Sequence, residues 1–206
     1  MSRTRKSDTR SKETRAQILK AAVEVFANHG FDGASTRQIS RLAGVNQGLV
    51  TYYFSSKENL WKEAMRSVFG QMNAKLLPII QESHGLDTRA RYKHLIQAFV
   101  RHAAHHPEQM RLMVREGTAD MERMTWLVDE FIKPIYQIYI PFILEGQSAG
   151  ILPPGAPVHY FYIFVGGASL IFSSAPECRY LTGVDPTHEA VIQAHAEAFC
   201  ALVMRD

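Results

Sequence analysis

The segment 46–57 holds polar side chains whose types and spacing suit hydrogen bonding to the edges of nucleic-acid bases. The amide of Gln47 can pair with adenine through two hydrogen bonds, and the methyl group of Thr51 can meet the methyl group of a thymine. Gly48 allows the backbone to come close to a partner because it has no Cβ. Lys57, at the start of a following helix, can hold a phosphate. This combination is typical of a short helix that lies in the major groove of DNA.

Two short helices around a tight turn are predicted to position these side chains. Ser35 and Gln38 have the spacing of a capping box, which predicts that the first helix begins there. Gly44 follows the apolar residues of that helix, where a left-handed residue ends a helix without a Cβ clash. Asn46 is a favourable N-cap for the second helix, residues 47–54.

The second of these helices divides its side chains between two faces. Val50 and Phe54 are predicted to face the protein core, while the other side chains face outward. Ser55 and Glu58 form a further capping-box pattern, which predicts the start of a third, longer helix. A short helix with amide, hydroxyl and phenol groups outward, held by another helix across a glycine turn, has the layout of a DNA-reading helix-turn-helix. The alternative is three packed helices of an all-α protein without that role.

Charge is distributed unevenly along the chain. Residues 1–67 contain 12 Lys or Arg and six Asp or Glu, so this part carries +6, whereas the remainder carries −3. Attraction to phosphate is local, so this asymmetry favours nucleic-acid binding by the N-terminal third. Six of the basic residues lie in the first 15, a segment with no apolar residue after Met1, which we expect to be disordered in isolation. It could be a DNA-contacting arm or a solubilising tail.

The N-terminal third resembles the DNA-binding domain of the TetR/AcrR family of bacterial transcriptional regulators. The resemblance rests on ILKAAVEVFANHGFDGAST and RQISRLAGVNQGLVTYYFSSKENL and covers about the first 65 residues. Thr51 stands where the family usually has a tyrosine, and Ser40 stands where alanine is common. The resemblance implies double-stranded DNA as partner, bound as a palindromic operator by a homodimer whose reading helices lie one DNA turn apart. The candidate DNA-contacting residues are Thr36, Arg37, Asn46, Gln47, Gly48, Leu49, Thr51, Tyr52, Tyr53 and Lys57.

Length and composition place the chain among globular proteins. Its 206 residues, 46% of them hydrophobic, can form one or two small domains with a core. No run of about 18 apolar residues occurs, which predicts no membrane-spanning helix. The N-terminus lacks the apolar core of a signal peptide. Cys178 and Cys200 are far apart in sequence, which favours reduced thiols and a cytoplasmic protein.

Apolar periodicity and turn residues predict nine helices. The predicted fold is all-α, with a three-helix helix-turn-helix DNA-binding domain followed by a six-helix ligand-binding and dimerisation domain. The predicted boundaries are residues 1–12 for a flexible basic arm, 13–65 for the DNA-binding domain and 66–206 for the second domain. We expect Pro78 to kink or end the fourth helix and Gly85 to lie in the loop that follows.

The seventh predicted helix, residues 121–149, has apolar side chains on more than one face, which is typical of a helix buried on several sides. Pro134 and Pro141 interrupt it and are expected to bend it. After the eighth helix, we expect residues 176–186 to form a loop, because this stretch begins and ends with proline.

The last two predicted helices carry more apolar surface than one core can bury. The eighth, residues 159–175, is apolar nearly all round, and Gly166 and Gly167 permit a neighbouring helix to come close. Two such helices from each subunit would make a four-helix interface, which predicts a homodimer. The alternative is that both helices pack only within their own subunit.

The family resemblance further implies a small-molecule site enclosed by helices four to eight. The candidate lining residues have aromatic or thioether side chains, which form apolar pockets that adapt to irregular shapes: Met110, Met113, Trp126, Phe131, Tyr139, Phe142, Tyr160 and Phe164. Arg115, Glu116 and Tyr162 are candidate polar contacts. The effector implied by these walls is small and mostly apolar or aromatic. The alternative for each of these residues is ordinary core packing.

Two further functions, metal binding and catalysis, can be judged from a histidine cluster and from the absence of catalytic motifs. His102, His105 and His106 have helical spacing and could hold a metal. They also lie at a helix end, where an imidazolium suits the helix dipole, and this second interpretation needs no metal. No Gly-rich phosphate loop, nucleophile elbow or paired-carboxylate motif occurs, so we predict no catalytic residue and no cofactor.

The sequence as a whole predicts a ligand-responsive DNA-binding transcriptional regulator, specifically a repressor that its effector releases from the operator. The mechanism implied by the resemblance has two states, and the ligand binds better to the state whose reading helices are too far apart for DNA. The alternative is a helical small-molecule sensor or interaction protein without operator-specific DNA binding.

Overall fold

The computed structural model describes residues 2–81, 87–118 and 121–205, with side chains for residues 9–80, 87–118 and 121–205. The regular structure within these residues is helical, which confirms the predicted all-α fold. The loop expected at Gly85 lies outside the described residues.

The helices of the described chain are α1 (Ser2–Gly33), α2 (Thr36–Leu42), α3 (Gln47–Phe54), α4 (Lys57–Gln81), α5 (Thr88–His105), α6 (Pro107–Gly117), α7 (Met121–Leu127), a π-helical segment (Val128–Ile132), α8 (Lys133–Ser148), α9 (Pro157–Ser173), α10 (Ala175–Thr182) and α11 (Glu189–Val203). The bounds of α3 are those that the sequence predicts.

The chain divides into two compact units. The first unit comprises residues 1–70 and 111–119, and the second comprises residues 71–110 and 120–206. Helices α4 and α6 therefore each contribute residues to both units. The second half of α6 belongs to the first unit, and the domain boundary between residues 65 and 66 stays a prediction. Leu112 on that half is almost fully buried.

The core of the first unit is built from α1, α2, α3 and the first half of α4. Its fully buried side chains include Ile18, Phe26, Ile39 and Trp61. Helix α1 begins at Ser2 and so includes the segment that the sequence led us to expect disordered in isolation. A kink at Gly30, whose φ of 70° is in the left-handed region, interrupts the helix near its end.

The second unit has α5 at its centre. One face of α5 packs with α9 and α11 in a cluster that contains Val100, Phe172 and Phe199. The end nearer its N-terminus joins a second cluster with α8, in which Tyr92 stacks on Phe142 with ring centroids 4.1 Å apart. These two rings form part of the wall of a cavity in this unit.

The long seventh helix predicted from the sequence is three segments. The π-helical residues 128–132 separate α7 from α8, and the Lys133 amide donates to the Val128 carbonyl, five residues earlier. Pro134 follows directly, in the first turn of α8. Because a proline has no N–H and its ring crowds the preceding turn, a wider turn just before it relieves the conflict. Pro141 lies within α8, which continues to Ser148.

One expectation about the helices was wrong, and another was narrowed. Pro78 does not end α4, which continues to Gln81, so a kink at Pro78 stays a prediction. Residues 176–186 are not a loop throughout, because α10 occupies Ala175–Thr182 with Pro176 in its first turn. Gly183, with φ of 72°, ends α10. Proline at a helix start and glycine just past its end are the signals of a short helix, so these residues punctuate α10 rather than prevent it.

Among the described residues, no single helix has both the length and the apolar composition of a membrane span. Helices α9 and α10 have them only when taken together, and the pair is bent by 69°.

Candidate DNA interface and ligand cavity

The caps predicted for α2 and α3 are confirmed. The Ser35 hydroxyl accepts from the Gln38 amide N–H at 3.2 Å, and the Gln38 side-chain oxygen accepts from the Ser35 N–H at 2.8 Å. The Asn46 side-chain oxygen accepts from the Gly48 N–H at 2.7 Å. Gly44, with φ of 67°, makes the turn between the two helices. These bonds satisfy N–H groups that a helix start leaves unpaired, so α3 begins at a defined residue.

Helix α3 presents one buried and one exposed face. Val50 and Phe54 are buried, as predicted, whereas the Tyr52 side chain is 78% exposed. Gln47, Gly48, Leu49 and Thr51 are exposed as well. The exposed face therefore combines an amide, a hydroxyl, a phenol and a residue without a side chain, which are groups that can contact base edges and the backbone of DNA.

Gln47 and Arg37 both present exposed polar groups on the helix pair. The Gln47 amide donates to the Thr36 hydroxyl at 3.2 Å, which ties the starts of α3 and α2 together. Within the described chain, the side-chain oxygen of Gln47 has no partner. The exposed Arg37 guanidinium likewise makes no ion pair with a described residue. Both side chains keep hydrogen-bonding capacity for a partner outside the protein.

Tyr53 and Lys57 have contacts inside the first unit. The half-buried Tyr53 places its hydroxyl 3.0 Å from the Ser11 hydroxyl, so it joins α3 to α1. The Lys57 ammonium lies 4.5 Å from the centroid of the Phe31 ring and 3.5 Å from the Asp32 carbonyl oxygen. Each side chain therefore helps to hold the domain together, and a DNA contact by either remains a prediction.

The capping box expected at Ser55 is wrong by one residue. The Ser56 hydroxyl accepts from the Asn59 N–H at 3.0 Å, so Ser56 caps α4. Glu58 instead accepts from Lys62 at 2.6 Å, one turn along the exposed face of α4. Ser55 has φ of 63°, a left-handed conformation that closes the end of α3 and cannot serve as an extended N-cap.

An ion-pair network behind α3 was not foreseen from the sequence. The Arg15 guanidinium donates to Glu63 at 2.6 Å and lies 5.1 Å from the centroid of the Phe54 ring. Arg66 also donates to Glu63, at 3.0 Å. Burial raises the pKa of Glu63, but the hydrogen bonds from the two arginines outweigh it and leave the pKa below its ordinary value. Only the fold brings Arg15 and Glu63, 48 residues apart, together.

The second unit contains a cavity of about 490 Å³. Four of the predicted lining residues, Tyr139, Phe142, Tyr160 and Phe164, lie on its walls. The other predicted lining residues, Met110, Met113, Trp126 and Phe131, lie elsewhere. The remaining wall residues are mostly aliphatic or belong to the turn before α9: Tyr92, Leu95, Ile96, Ile143, Leu152, Pro153, Pro154, Gly155, His159, Ile163, Leu202 and Val203. The volume is in the range of sites for small molecules.

The wall residues that the sequence did not predict lie on α5, α8, α9 and α11 and in the turn before α9. Tyr92, Leu95 and Ile96 lie on α5, from which no lining residue was predicted. Leu202 and Val203 lie at the end of α11. The turn residues 152–155 carry no aromatic signal at all. Helical periodicity could have suggested the α5 residues, but not the turn, whose position depends on tertiary packing.

The candidate polar contacts do not belong to this cavity. Tyr162 is on α9 but is exposed, and Arg115 is exposed on α6. Glu116 is buried, and it lies in the first unit rather than in the unit that contains the cavity.

In the histidine cluster, His102 makes its contacts with other side chains of the same chain. His102 is only 4% exposed, and its Nε2 lies 2.9 Å from the side-chain oxygen of Gln109. Its ring packs against that of His106, with centroids 4.7 Å apart. Burial lowers the pKa of His102 to about 4, against the opposing hydrogen bond to Gln109. Among the described residues, no three His, Cys, Asp or Glu side chains are placed to share a metal ion.

Known proteins match the helix pair and most of the chain. The sequence profile of bacterial regulatory proteins of the tetR family matches residues 18–64, which contain α2 and α3. The transcriptional repressor NicS of Pseudomonas putida is 28% identical over 184 residues, covering 83% of this chain and 82% of NicS. The transcriptional regulator RutR of Escherichia coli is 26% identical over 166 residues, covering 81% of this chain and 77% of RutR.

A solved structure shares the fold over nearly the full chain. The crystal structure of HlyIIR, a hemolysin II transcriptional regulator, superposes with a TM-score of 0.68 at 19% identity and covers 95% of this chain and 99% of its own. The helix-turn-helix geometry and the matching proteins agree, and these relatives are regulators rather than enzymes. The chain carries a TetR-family DNA-binding domain, and its relatives over most of its length are transcriptional regulators.

Proposed function

We propose that this regulator is a repressor that binds a palindromic operator as a homodimer and is released by a small, mostly apolar effector. The observation that carries the proposal is the exposed polar face of α3, which is held by caps at defined residues. The excess of positive charge in residues 1–67 supports binding to a polyanion. The name of the relative NicS supports repression as the direction of control.

An apolar surface on α9 and α10 supports the homodimer. The side chains of Leu170 and Leu181 are 59% and 78% exposed, and both line a shallow groove. Gly166 lies in the same groove, and a Cβ placed on it would meet no atom within 4 Å. Exposed apolar surface of this kind marks protein interfaces, and glycine allows a second helix to approach closely. A symmetric pair would present two copies of α3 to two half-sites.

The cavity supports regulation by a small molecule. Its walls are largely aromatic and aliphatic, which favours an apolar effector. For such an effector to release DNA, it must bind more tightly to a state with low operator affinity. We expect DNA and effector to weaken each other's binding by the same factor, since the two equilibria are linked.

A mobility-shift titration of the full-length protein with fragments of its own genome tests the proposal. We expect a small set of fragments to bind far more tightly than the remainder and to contain an inverted repeat. Equal affinity for all fragments would instead support the alternative, a helical sensor or interaction protein without operator-specific DNA binding. Adding small-molecule extracts to the bound fragments then tests release.

A further inference from the structure

The cavity of the second unit contains one tyrosine hydroxyl without a partner. The Tyr92 hydroxyl donates to the Phe142 carbonyl, and the Tyr160 hydroxyl donates to the Pro153 carbonyl at 2.5 Å. Tyr139 also lies on the wall and is 8% exposed, yet its hydroxyl makes no hydrogen bond to any described residue. A hydroxyl that is free on the wall of an otherwise apolar cavity offers a ligand one hydrogen-bonding group to pair with.

The walls of the cavity carry no formal charge. None of the lining residues is Asp, Glu, Lys or Arg, and the single histidine among them, His159, is exposed. Moving an ionised group from water into such surroundings is costly unless an opposite charge is present. The walls therefore select against a carboxylate or an ammonium inside the cavity.

The rings around Tyr139 favour an aromatic ligand. Its ring lies 5.6 Å from that of Phe164 and 5.8 Å from that of Phe161, centroid to centroid, in tilted and edge-to-face arrangements. The stacked pair of Tyr92 and Phe142 forms another part of the wall. Aromatic groups in offset or edge-to-face contact attract each other beyond their area of burial.

We propose that the cavity takes an uncharged, largely aromatic molecule with one hydrogen-bonding group, and that this group pairs with the Tyr139 hydroxyl. The inference rests on the proposed function and names the class of its effector. Burial raises the pKa of Tyr139, with the neighbouring Tyr92 adding to the effect. The phenol therefore stays protonated near neutral pH and can either donate or accept.

Three probes of one shape test the inference: 2-naphthol, naphthalene and 2-naphthoate, titrated into the full-length protein at pH 7 and followed by fluorescence. We expect 2-naphthol to bind about three- to tenfold more tightly than naphthalene, as one net hydrogen bond provides. We expect 2-naphthoate, which is anionic, to bind most weakly.

Tyr139→Phe keeps the ring and removes the hydroxyl. We expect this variant to bind 2-naphthol about as weakly as naphthalene, while its affinity for naphthalene stays that of the unmodified protein. Tyr136→Phe is the matched control, since Tyr136 lies on the same helix, outside the cavity wall. The control should retain the preference for 2-naphthol.

The inference is overturned if Tyr139→Phe retains the preference for 2-naphthol, if 2-naphthoate binds most tightly, or if neither neutral probe binds the unmodified protein. The titrations contain no DNA, so these outcomes leave operator binding untouched. A protein that binds 2-naphthol through Tyr139 but no preferred genomic fragment would instead refute the proposed function alone.

Discussion

Gln47 is the residue of α3 best placed to choose among DNA sequences. It is exposed, and its amide bonds only to the Thr36 hydroxyl, a contact that it can exchange for a base edge. We predict that Gln47→Ala weakens operator binding by about 1–3 kcal/mol and binding to random DNA much less. Affinities for both DNAs, measured at one salt concentration, check this. Equal losses on the two DNAs would assign Gln47 to the backbone or to the fold.

Tyr52 and Tyr53 are the same residue type in different surroundings, so substituting each of them separates DNA contact from fold stability. The Tyr52 side chain is exposed, whereas the Tyr53 hydroxyl is 3.0 Å from Ser11. We predict that Tyr52→Ala weakens DNA binding with little change in the free energy of unfolding. Tyr53→Phe should instead lower the free energy of unfolding by about 1 kcal/mol, the net value of one hydrogen bond. Chemical denaturation and DNA titration of both variants check this, and the reverse pattern would exchange the two assignments.

His102 gives the protein a defined dependence of stability on pH. The unfolded chain protonates this side chain near pH 6.5, whereas burial in the folded protein lowers the pKa to about 4. Between these values the unfolded state binds more protons, so the free energy of unfolding falls as the pH falls, by at most about 1.4 kcal/mol per pH unit from this group. The lowered pKa of Glu63 acts in the same direction, but only below its ordinary value of 4.5.

Chemical denaturation at pH 7 and pH 5 tests the contribution of His102. We predict that His102→Gln, whose amide can still bond to Gln109, reduces the loss of stability between these two pH values. His105→Gln is the control, because His105 is exposed on the same helix. Identical losses in the unmodified protein and in His102→Gln would show that other groups cause the pH dependence.

At the scale of elements, two adjacent glycines on α9 have different neighbours. A Cβ on Gly167 would lie 2.6 Å from a ring carbon of Phe199, so the close approach that Gly167 permits is to α11 of the same chain. A Cβ on Gly166 would meet nothing within 4 Å. We predict that Gly166→Leu leaves the subunit folded but weakens the dimer, while Gly167→Leu lowers the free energy of unfolding of the subunit itself.

Light scattering and thermal unfolding of the two variants separate these effects. Gly70→Leu is the control for adding a leucine to a helix, because a Cβ on Gly70 also meets no atom within 4 Å and Gly70 lies on α4, outside the groove. A Gly166→Leu protein that is well folded and fully dimeric would place the interface on another surface.

At the scale of the whole molecule, we expect the positive charge near the N-terminus to raise the affinity for any DNA without changing which DNA sequence is preferred. Deleting residues 1–10 removes Arg3, Arg5, Lys6 and Arg10 along with Asp8. If two or three of these cations contact phosphate, the slope of log K against log salt should shrink by about 2–3. The deletion retains Ser11 and so the contact with Tyr53. An unchanged slope would mean that this segment does not contact DNA.

Local signals in the sequence determined the helix pair that reads DNA. The caps at Ser35 and Asn46, the turn at Gly44 and the buried face of α3 involve residues at most a few positions apart, so their types and spacing suffice to predict them. The same local rules missed α10, because glycine and proline were treated only as residues that break helices. They also placed the N-cap of α4 one residue too early.

Tertiary structure alone decided which distant side chains meet. It gave Arg15 its partner Glu63, made Phe199 of the same chain the neighbour of Gly167, and chose four of eight aromatic or thioether candidates as cavity walls. Apolar periodicity shows that a side chain is buried but not which neighbour buries it, because many partners satisfy the same pattern. The unpaired hydroxyl of Tyr139 is visible only once all its neighbours are known, since being unpaired is a property of the surroundings and not of the residue.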